Sequence, residues 1–192
     1  MAIAGCAAAI LAGGRATRMG GVAKGLIAMA GRTILDVQLD VLRPLFDEIL
    51  LVANDAEPYR RFGLPIVGDR IAGCGPLGGL HAALHACRAP RLFLCACDMP
   101  ALSADAVRRV ADADAQADVV VPVVGGRPEP LHARYAAACL PAIESSLAAG
   151  HYKMAGFFRD VRVVEIPEAD LRRIDPELSF LRNLNTPDDL VR

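Results

Sequence analysis

The chain lacks most of the features that would assign it quickly. No C-x-x-C occurs among its six cysteines, so neither a zinc ribbon nor a thioredoxin-like site is indicated. It has no surplus of positive charge. Its 21 Lys and Arg stand against 22 Asp and Glu, a formal net charge of −1, whereas a nucleic-acid binder carries a basic excess. No apolar run approaches the ~20 residues needed to span a bilayer, so no membrane contact is expected. The apolar N-terminal segment has no basic leader and runs straight into a glycine-rich loop, which is not the pattern of a signal peptide. Internal repeats, linkers and low-complexity stretches are missing too. Two familiar phosphate loops are also absent. Lys24 follows Ala23 and precedes Gly25, unlike the Walker pattern, and G-x-G-x-x-G does not occur.

What is present is a different anion-binding loop. The run Ile3 to Leu11 reads as a first buried strand, and it opens into LAGGRATRMGGVAK, Leu11 to Lys24. Gly13, Gly14, Gly20 and Gly21 let backbone N–H groups approach a ligand closely. Arg15, Arg18 and Lys24 add three positive charges, Arg as a fork matched to phosphate oxygens and Lys as a point charge. Such a loop at the carboxyl end of a first strand suits a nucleotide polyphosphate.

Apolar strands alternate with helical segments, which predicts βαβ units, a mainly parallel sheet and a single domain over residues 1–192. The 54% hydrophobic and 22% charged content suits a sheet covered on both faces. Strands are expected at Ile3–Leu11, Glu48–Val52, Leu64–Val67, Leu92–Ala96, Val119–Val123 and Val161–Ile166. Gly125-Gly126 should reverse the chain so that Leu131–Tyr135 returns antiparallel. Helices are expected at Thr33–Leu42 with Thr33 as N-cap, from Pro58 to Phe62, and from Gly75 to Cys87. Others should run from Ala104 to Ala113 after a Ser103 cap and from Leu140 to Ala149, ended by Gly150. An irregular tail should finish in a small helix after Pro187.

The polar residues at the strand ends are the candidate chemistry. Asp98 stands where the apolar strand LFLCAC stops, with Pro100 turning the chain away. A carboxylate there, facing a phosphate loop, can hold Mg²⁺, which binds few carboxylates plus substrate phosphates. Asp69 follows the third strand in VGD, and Asn54 follows the second. An amide offers both a donor and an acceptor, as a guanine edge or ribose requires, although Asn54 and Asp69 are equally ordinary turn residues. Gly75, Pro76 and Gly79 shape a helix start that a ligand could approach. Asn183 and Asn185, two apart, would share one face of an extended tail. His81 and His85 have a spacing that can bind metal, but H-E-x-x-H is absent, and two surface histidines are the simpler expectation. Cys6, Cys95 and Cys97 fit buried strands as small core residues, in a reducing, cytoplasmic setting.

The pattern LAGG-x-x-x-RMGG-x-x-K resembles the signature of the nucleotidyltransferase family that makes sugar nucleotides and the molybdenum cofactor dinucleotides (MobA-like). GCGPLGGL at 73–80, CACDMP at 95–100 and NLNTPDDL at 183–190 follow in the family's order, and the double glycine of LAGG is similar to its guanylyl members. The resemblance implies a Rossmann-like three-layer α/β/α sandwich with a mostly parallel sheet and a small antiparallel element. It implies transfer of GMP from GTP to the terminal phosphate of molybdenum-bound molybdopterin, with release of pyrophosphate. The alternatives are guanylyl or cytidylyl transfer to another phosphorylated acceptor such as a sugar phosphate, or a non-catalytic GTP-binding regulator. Mg²⁺ is the implied cofactor and Asp98 the implied metal ligand. Arg18, Lys24 and Asp98 would carry catalysis. Leu11, Ala12, Gly13, Gly14, Lys24, Asn54, Asp69 and Asp98 would bind the nucleotide, and Gly79, Lys153, Asn183 and Asn185 the pterin substrate. Cofactor insertion and carrier proteins are the implied macromolecular partners. The chain departs from the family pattern at Ala23, where Asp is usual, and at Lys153, where Arg is usual.

Overall fold

The first strand shows why the sheet is covered on both faces. In β1 (Cys6–Leu11) all six residues are buried. Alternate side chains project to opposite faces of a strand, so Cys6, Ala8 and Ile10 enter one apolar layer, while Ala7, Ala9 and Leu11 enter the other. Such a strand reads as a continuous apolar run rather than an alternating one. A computed structural model of the chain describes residues 1–13, 24–29 and 31–184.

After β1 come a 3₁₀ turn, Lys24–Leu26, and a two-stranded antiparallel ribbon of β2 (Ala28–Met29) and β3 (Arg32–Thr33). Helix α1 (Ile34–Leu42) follows. Thr33 caps it as expected, accepting from the Asp36 N–H while the Asp36 side chain accepts from the Thr33 N–H. This reciprocal pairing satisfies two otherwise orphaned donors. The chain continues through β4 (Ile49–Val52), a 3₁₀ helix Glu57–Phe62, β5 (Ile66–Val67), α2 (Gly75–Ala86), β6 (Arg91–Ala96) and α3 (Ala104–Ala111). Then come β7 (Val119–Val124), β8 (Arg127–Pro128), β9 (His132–Ala136), α4 (Leu140–Ala148), β10 (Val163–Pro167) and α5 (Glu168–Ile174).

The main sheet has the order β10-β7-β9-β6-β1-β4-β5, with β8 paired to β7. The pairs β1–β4, β1–β6, β4–β5 and β7–β10 are parallel. Only β8 and β9 run against them, β9 pairing antiparallel with both β6 and β7. Leu35, Leu39, Val107, Val110 and Leu171 from α1, α3 and α5 cover one face. Leu77, Leu80, Leu84, Ile143 and Leu147 from α2 and α4 cover the other. This is the expected three-layer α/β/α sandwich.

Three expectations are corrected. β1 begins at Cys6 rather than Ile3, after a turn in which Gly5 takes a positive φ of 63°. The glycine pair after β7 leads first into the two-residue β8, and the returning strand starts only at His132. The segment after β10 is not irregular but forms α5, whose seven residues bury a single side chain, Leu171. That is too short and too weakly amphipathic to signal a helix in the sequence. The small helix expected after Pro187 lies outside the described residues.

Candidate active site at the switch point of the sheet

From β1 the chain builds outward through β4 and β5, then crosses back to lay β6 on the other side of β1. Where strand order reverses in this way, the strand carboxyl ends part and leave a crevice. Leu11 lies opposite Val52 in β4 and opposite Ala96 in β6. The Cys97 N–H donates to Leu11 O at 3.0 Å, and the Ala12 N–H to Val52 O at 2.9 Å. Ala12 and Gly13, Asn54 and Asp98 therefore leave the sheet side by side.

Lys24 returns to this rim. Its Nζ donates to Asp98 Oδ2 at 2.8 Å, with the two side chains 33% and 15% exposed. The other oxygen, Asp98 Oδ1, is buried and has no hydrogen-bond partner among the described residues. A half-satisfied buried carboxylate is costly, and a divalent cation would take that lone pair. The donor set fits a hard ion held by one carboxylate plus substrate oxygens.

The turn carrying Asp98 is held from three sides. The buried Gln38 Nε2 of α1 donates to Ala96 O at 2.7 Å and to Met99 O at 3.0 Å, bracketing the aspartate. The Leu184 N–H donates to Asp98 O at 2.8 Å. Gly25 packs against Cys97 so closely that a Cβ there would lie 3.1 Å from the Cys97 Cβ. Burial pushes the Cys97 thiol up to about 12, and the neighbouring Asp98 carboxylate adds to this. The sulfur beside the aspartate therefore stays a neutral thiol at neutral pH and is no nucleophile.

Asn54 and Asp69 form a second unit on the same rim. The Asn54 Nδ2 donates to Asp69 Oδ2 at 2.9 Å, and the Asp69 N–H donates to Asn54 Oδ1 at 2.7 Å. Each residue fixes the other, leaving one amide N–H of Asn54 for a further partner. Gly79 in the second turn of α2 sits against this unit. A Cβ there would meet Leu11 Cδ2 at 2.8 Å, Val52 Cγ1 at 3.3 Å and Asp69 Oδ1 at 3.9 Å. Its missing side chain thus lets α2 press on β1 and β4 directly behind the rim. Tyr59 donates its hydroxyl to Ala12 O at 3.1 Å. Burial raises that phenol to about 12, so it remains a donor at neutral pH.

Leu11, Ala12, Gly13, Lys24, Asn54, Asp69, Gly79 and Asp98 are thus gathered at one crevice. Lys153 is exposed in the loop after α4, and Asn183 is exposed immediately before Leu184. Among the described residues neither side chain hydrogen-bonds to Asp98, although Asn183 directly precedes Leu184, whose N–H donates to Asp98 O. Gly14, Arg18 and Asn185 lie outside the described residues. Sequence reasoning missed Gln38 and Tyr59. Gln38 is a polar residue in the apolar stripe between Leu35 and Leu39, which is the one signal that could have drawn notice. It also misjudged His81, which is buried at 5% exposure because α4 covers that side of α2.

A doubly covered, mostly parallel sheet with a lysine and a half-satisfied aspartate at its switch point defines a nucleotide-handling α/β transferase. The chain belongs to the MobA-like NTP transferase domain family, whose pattern matches residues 8–165. It is 39% identical to the probable molybdenum cofactor guanylyltransferase of Pelotomaculum thermopropionicum over 184 residues, covering 95% of this chain and 89% of the relative. It is 32% identical to the molybdenum cofactor guanylyltransferase of Syntrophotalea carbinolica over 187 residues, with coverage of 96% and 89%. Among solved structures, the molybdopterin-guanine dinucleotide biosynthesis protein A of Archaeoglobus fulgidus superposes with a TM-score of 0.82 at 28% identity, covering 97% of this chain and 95% of that one.

Proposed function

We propose that the protein transfers GMP from GTP to the terminal phosphate of molybdenum-bound molybdopterin, forming the guanine dinucleotide cofactor and releasing pyrophosphate. The observation that carries this reading is the Lys24–Asp98 pair at the switch point, with Asp98 Oδ1 buried and without a hydrogen-bond partner among the described residues. An oxygen of the acceptor phosphate attacks the α-phosphorus of GTP. One P–O bond forms, the bond to the β-phosphate bridging oxygen breaks, and its electron pair leaves with pyrophosphate. The acceptor phosphate is already anionic at neutral pH, so no general base is required. Catalysis then consists of alignment and charge neutralisation.

Lys24, with Arg18, binds the triphosphate and stabilises the charge that gathers on pyrophosphate. The backbone of Leu11, Ala12, Gly13 and Gly14 lies along the nucleotide, with Ala12 fixed by Tyr59. Asn54, held by Asp69, presents its remaining amide N–H to the guanine or ribose. Asp98 is the residue that would hold the divalent cation, with Mg²⁺ as the expected ion. When bound, that ion would supply positive charge to neutralise the reacting phosphates. Gln38 and Leu184 keep the Asp98 turn in place. Gly79 sets the wall behind the nucleotide, and Lys153, Asn183 and Asn185 serve the pterin half. A cytoplasmic location and hand-over of product to cofactor insertion or carrier proteins complete the proposal.

The test is pyrophosphate release from GTP with Mg²⁺, with and without molybdenum-bound molybdopterin, followed by identification of the product. Pterin-dependent turnover giving the guanine dinucleotide is expected, with GTP outcompeting CTP and ATP. Turnover only with a sugar phosphate, or preference for CTP, would move the protein to another transferase branch. GTP binding without turnover would make it a regulator.

A further inference from the structure

The α2–α4 side of the sheet carries a cluster that the transfer reaction does not use. His81 and His85 lie one turn apart on α2 and meet Glu144 of α4. The Nε2 atoms of the two histidines are 3.1 Å apart. Glu144 Oε1 lies 3.1 Å from His85 Nε2 and 3.4 Å from His81 Nε2. Three polar atoms therefore converge on one point.

Hydrogen bonds alone do not account for this triangle. If both imidazoles donate to the carboxylate, their two N–H groups face each other across 3.1 Å. If one imidazole donates to the other, the acceptor ring turns a lone pair toward the carboxylate. In every arrangement of neutral rings one contact of the three is repulsive. His81 is also 5% exposed, and its Nδ1 is buried without a hydrogen-bond partner among the described residues. The core thus carries an imidazole only partly satisfied by its neighbours.

A metal ion resolves the conflict by taking one lone pair from each donor. Zn–N bonds of about 2.0–2.1 Å at tetrahedral angles separate the donors by ~3.4 Å, close to the edges seen here. Among the described residues this is the group of His, Cys, Asp and Glu side chains with metal-binding spacing. Two imidazoles and one carboxylate suit zinc and its first-row neighbours, whereas Mg²⁺ demands oxygen ligands. His85 and Glu144 are 30% and 51% exposed, so the cluster opens to solvent and leaves a fourth position for water.

We propose that His81, His85 and Glu144 form a transition-metal site, with zinc as the fitting ion, that clips α2 to α4. It is separate from the nucleotide crevice. His81 and His85 stand about 9 and 15 Å along α2 from Gly75, at 1.5 Å per residue. The site holds in place the helix whose opening turns carry Gly79 behind Asp69. The proposal does not depend on which nucleotide or acceptor the crevice takes.

The test is calorimetric titration of the full chain, stripped with chelator, with zinc chloride, alongside Co²⁺ as a spectroscopic probe. One zinc per chain is expected, with a visible Co²⁺ spectrum of tetrahedral type. At a hundredfold excess over Kd, zinc should raise Tm by roughly 5 °C or more. His85→Ala and Glu144→Gln alter the two more exposed ligands and spare the buried one, so both variants should fold. Each should weaken zinc binding at least tenfold and abolish the zinc-induced rise in Tm, while GTP turnover in Mg²⁺ stays at the parent level. Asp98→Asn should keep its zinc. Failure of the parent chain to bind zinc, or unchanged zinc affinity in both ligand variants, would overturn the proposal, the latter by assigning the ion to other donors.

Discussion

Replacing His132 by leucine should remove a specific part of the protein's acid sensitivity. His132 sits on β9 with no exposed surface, between the rings of Phe93 and Phe180 at centroid distances of 5.0 and 5.1 Å. Neither ring nitrogen has a hydrogen-bond partner among the described residues. Burial alone drives its pKa down from 6.5 to about 3. The unfolded chain accepts a proton at this side chain near pH 6.5, and the folded chain refuses it until about pH 3. The unfolded state therefore binds more protons across this window, and stability falls as pH falls. At pH 5 the gap of 1.5 units below the unfolded pKa corresponds to about 2 kcal/mol. Denaturant unfolding of parent and His132→Leu at pH 7 and pH 5 measures this directly. Leucine cannot titrate, so the parent should lose about 2 kcal/mol more than the variant between the two pH values, whatever their offset at pH 7. The other histidines are common to both chains and cancel in the comparison. Equal losses in the two proteins would show that His132 is protonated in the folded state and would refute the reasoning.

Asp98→Asn should leave a folded protein with turnover reduced roughly 100-fold, about 3 kcal/mol of transition-state stabilisation; steady-state kinetics beside a thermal melt checks it. Lys24→Ala should weaken GTP binding and slow transfer together, and unchanged GTP affinity by calorimetry would contradict its phosphate role. Gln38→Leu leaves Ala96 O and Met99 O without their buried donor. It should cost roughly 1–3 kcal/mol of stability and lower kcat more than it raises the KM for GTP, as seen in paired unfolding and kinetic measurements. The double change Asn183→Ala with Asn185→Ala should impair pterin binding and spare GTP binding. Equal loss of GTP binding would assign the tail to the nucleotide half.

The rim of the site was legible because each of its markers sits at a change of pattern. β1 is an apolar run that stops at glycines, and β6 is one that stops at Asp98 and Pro100, so both declare their carboxyl ends locally. Asn54 and Asp69 were placed by the same rule, though their mutual hydrogen bonds depend on β4 and β5 lying in register. Gln38 and Tyr59 act only through the approach of a distant segment, across 58 positions from Gln38 to Ala96 and 47 from Tyr59 to Ala12. No local spacing encodes that. The insertion of β9 between β6 and β7 was equally hidden, since an antiparallel strand advertises its direction through its turn but not its neighbour. His81 was misjudged because α2 is buried from Leu77 to Leu84. A helix wrapped by a sheet and a second helix has no polar stripe from which exposure can be read.

The hydrogen bond from Leu184 to the Asp98 carbonyl sets an order of events during synthesis. β1, β6 and the aspartate between them leave the ribosome well before residue 184 exists. A growing chain can pair β1 with β6 and bring Lys24 to Asp98, yet the turn that carries the aspartate still lacks one of its three restraints. That restraint arrives only with Leu184, whose N–H donates to Asp98 O at 2.8 Å. A nascent or C-terminally clipped chain would therefore offer GTP a looser site than the completed protein does.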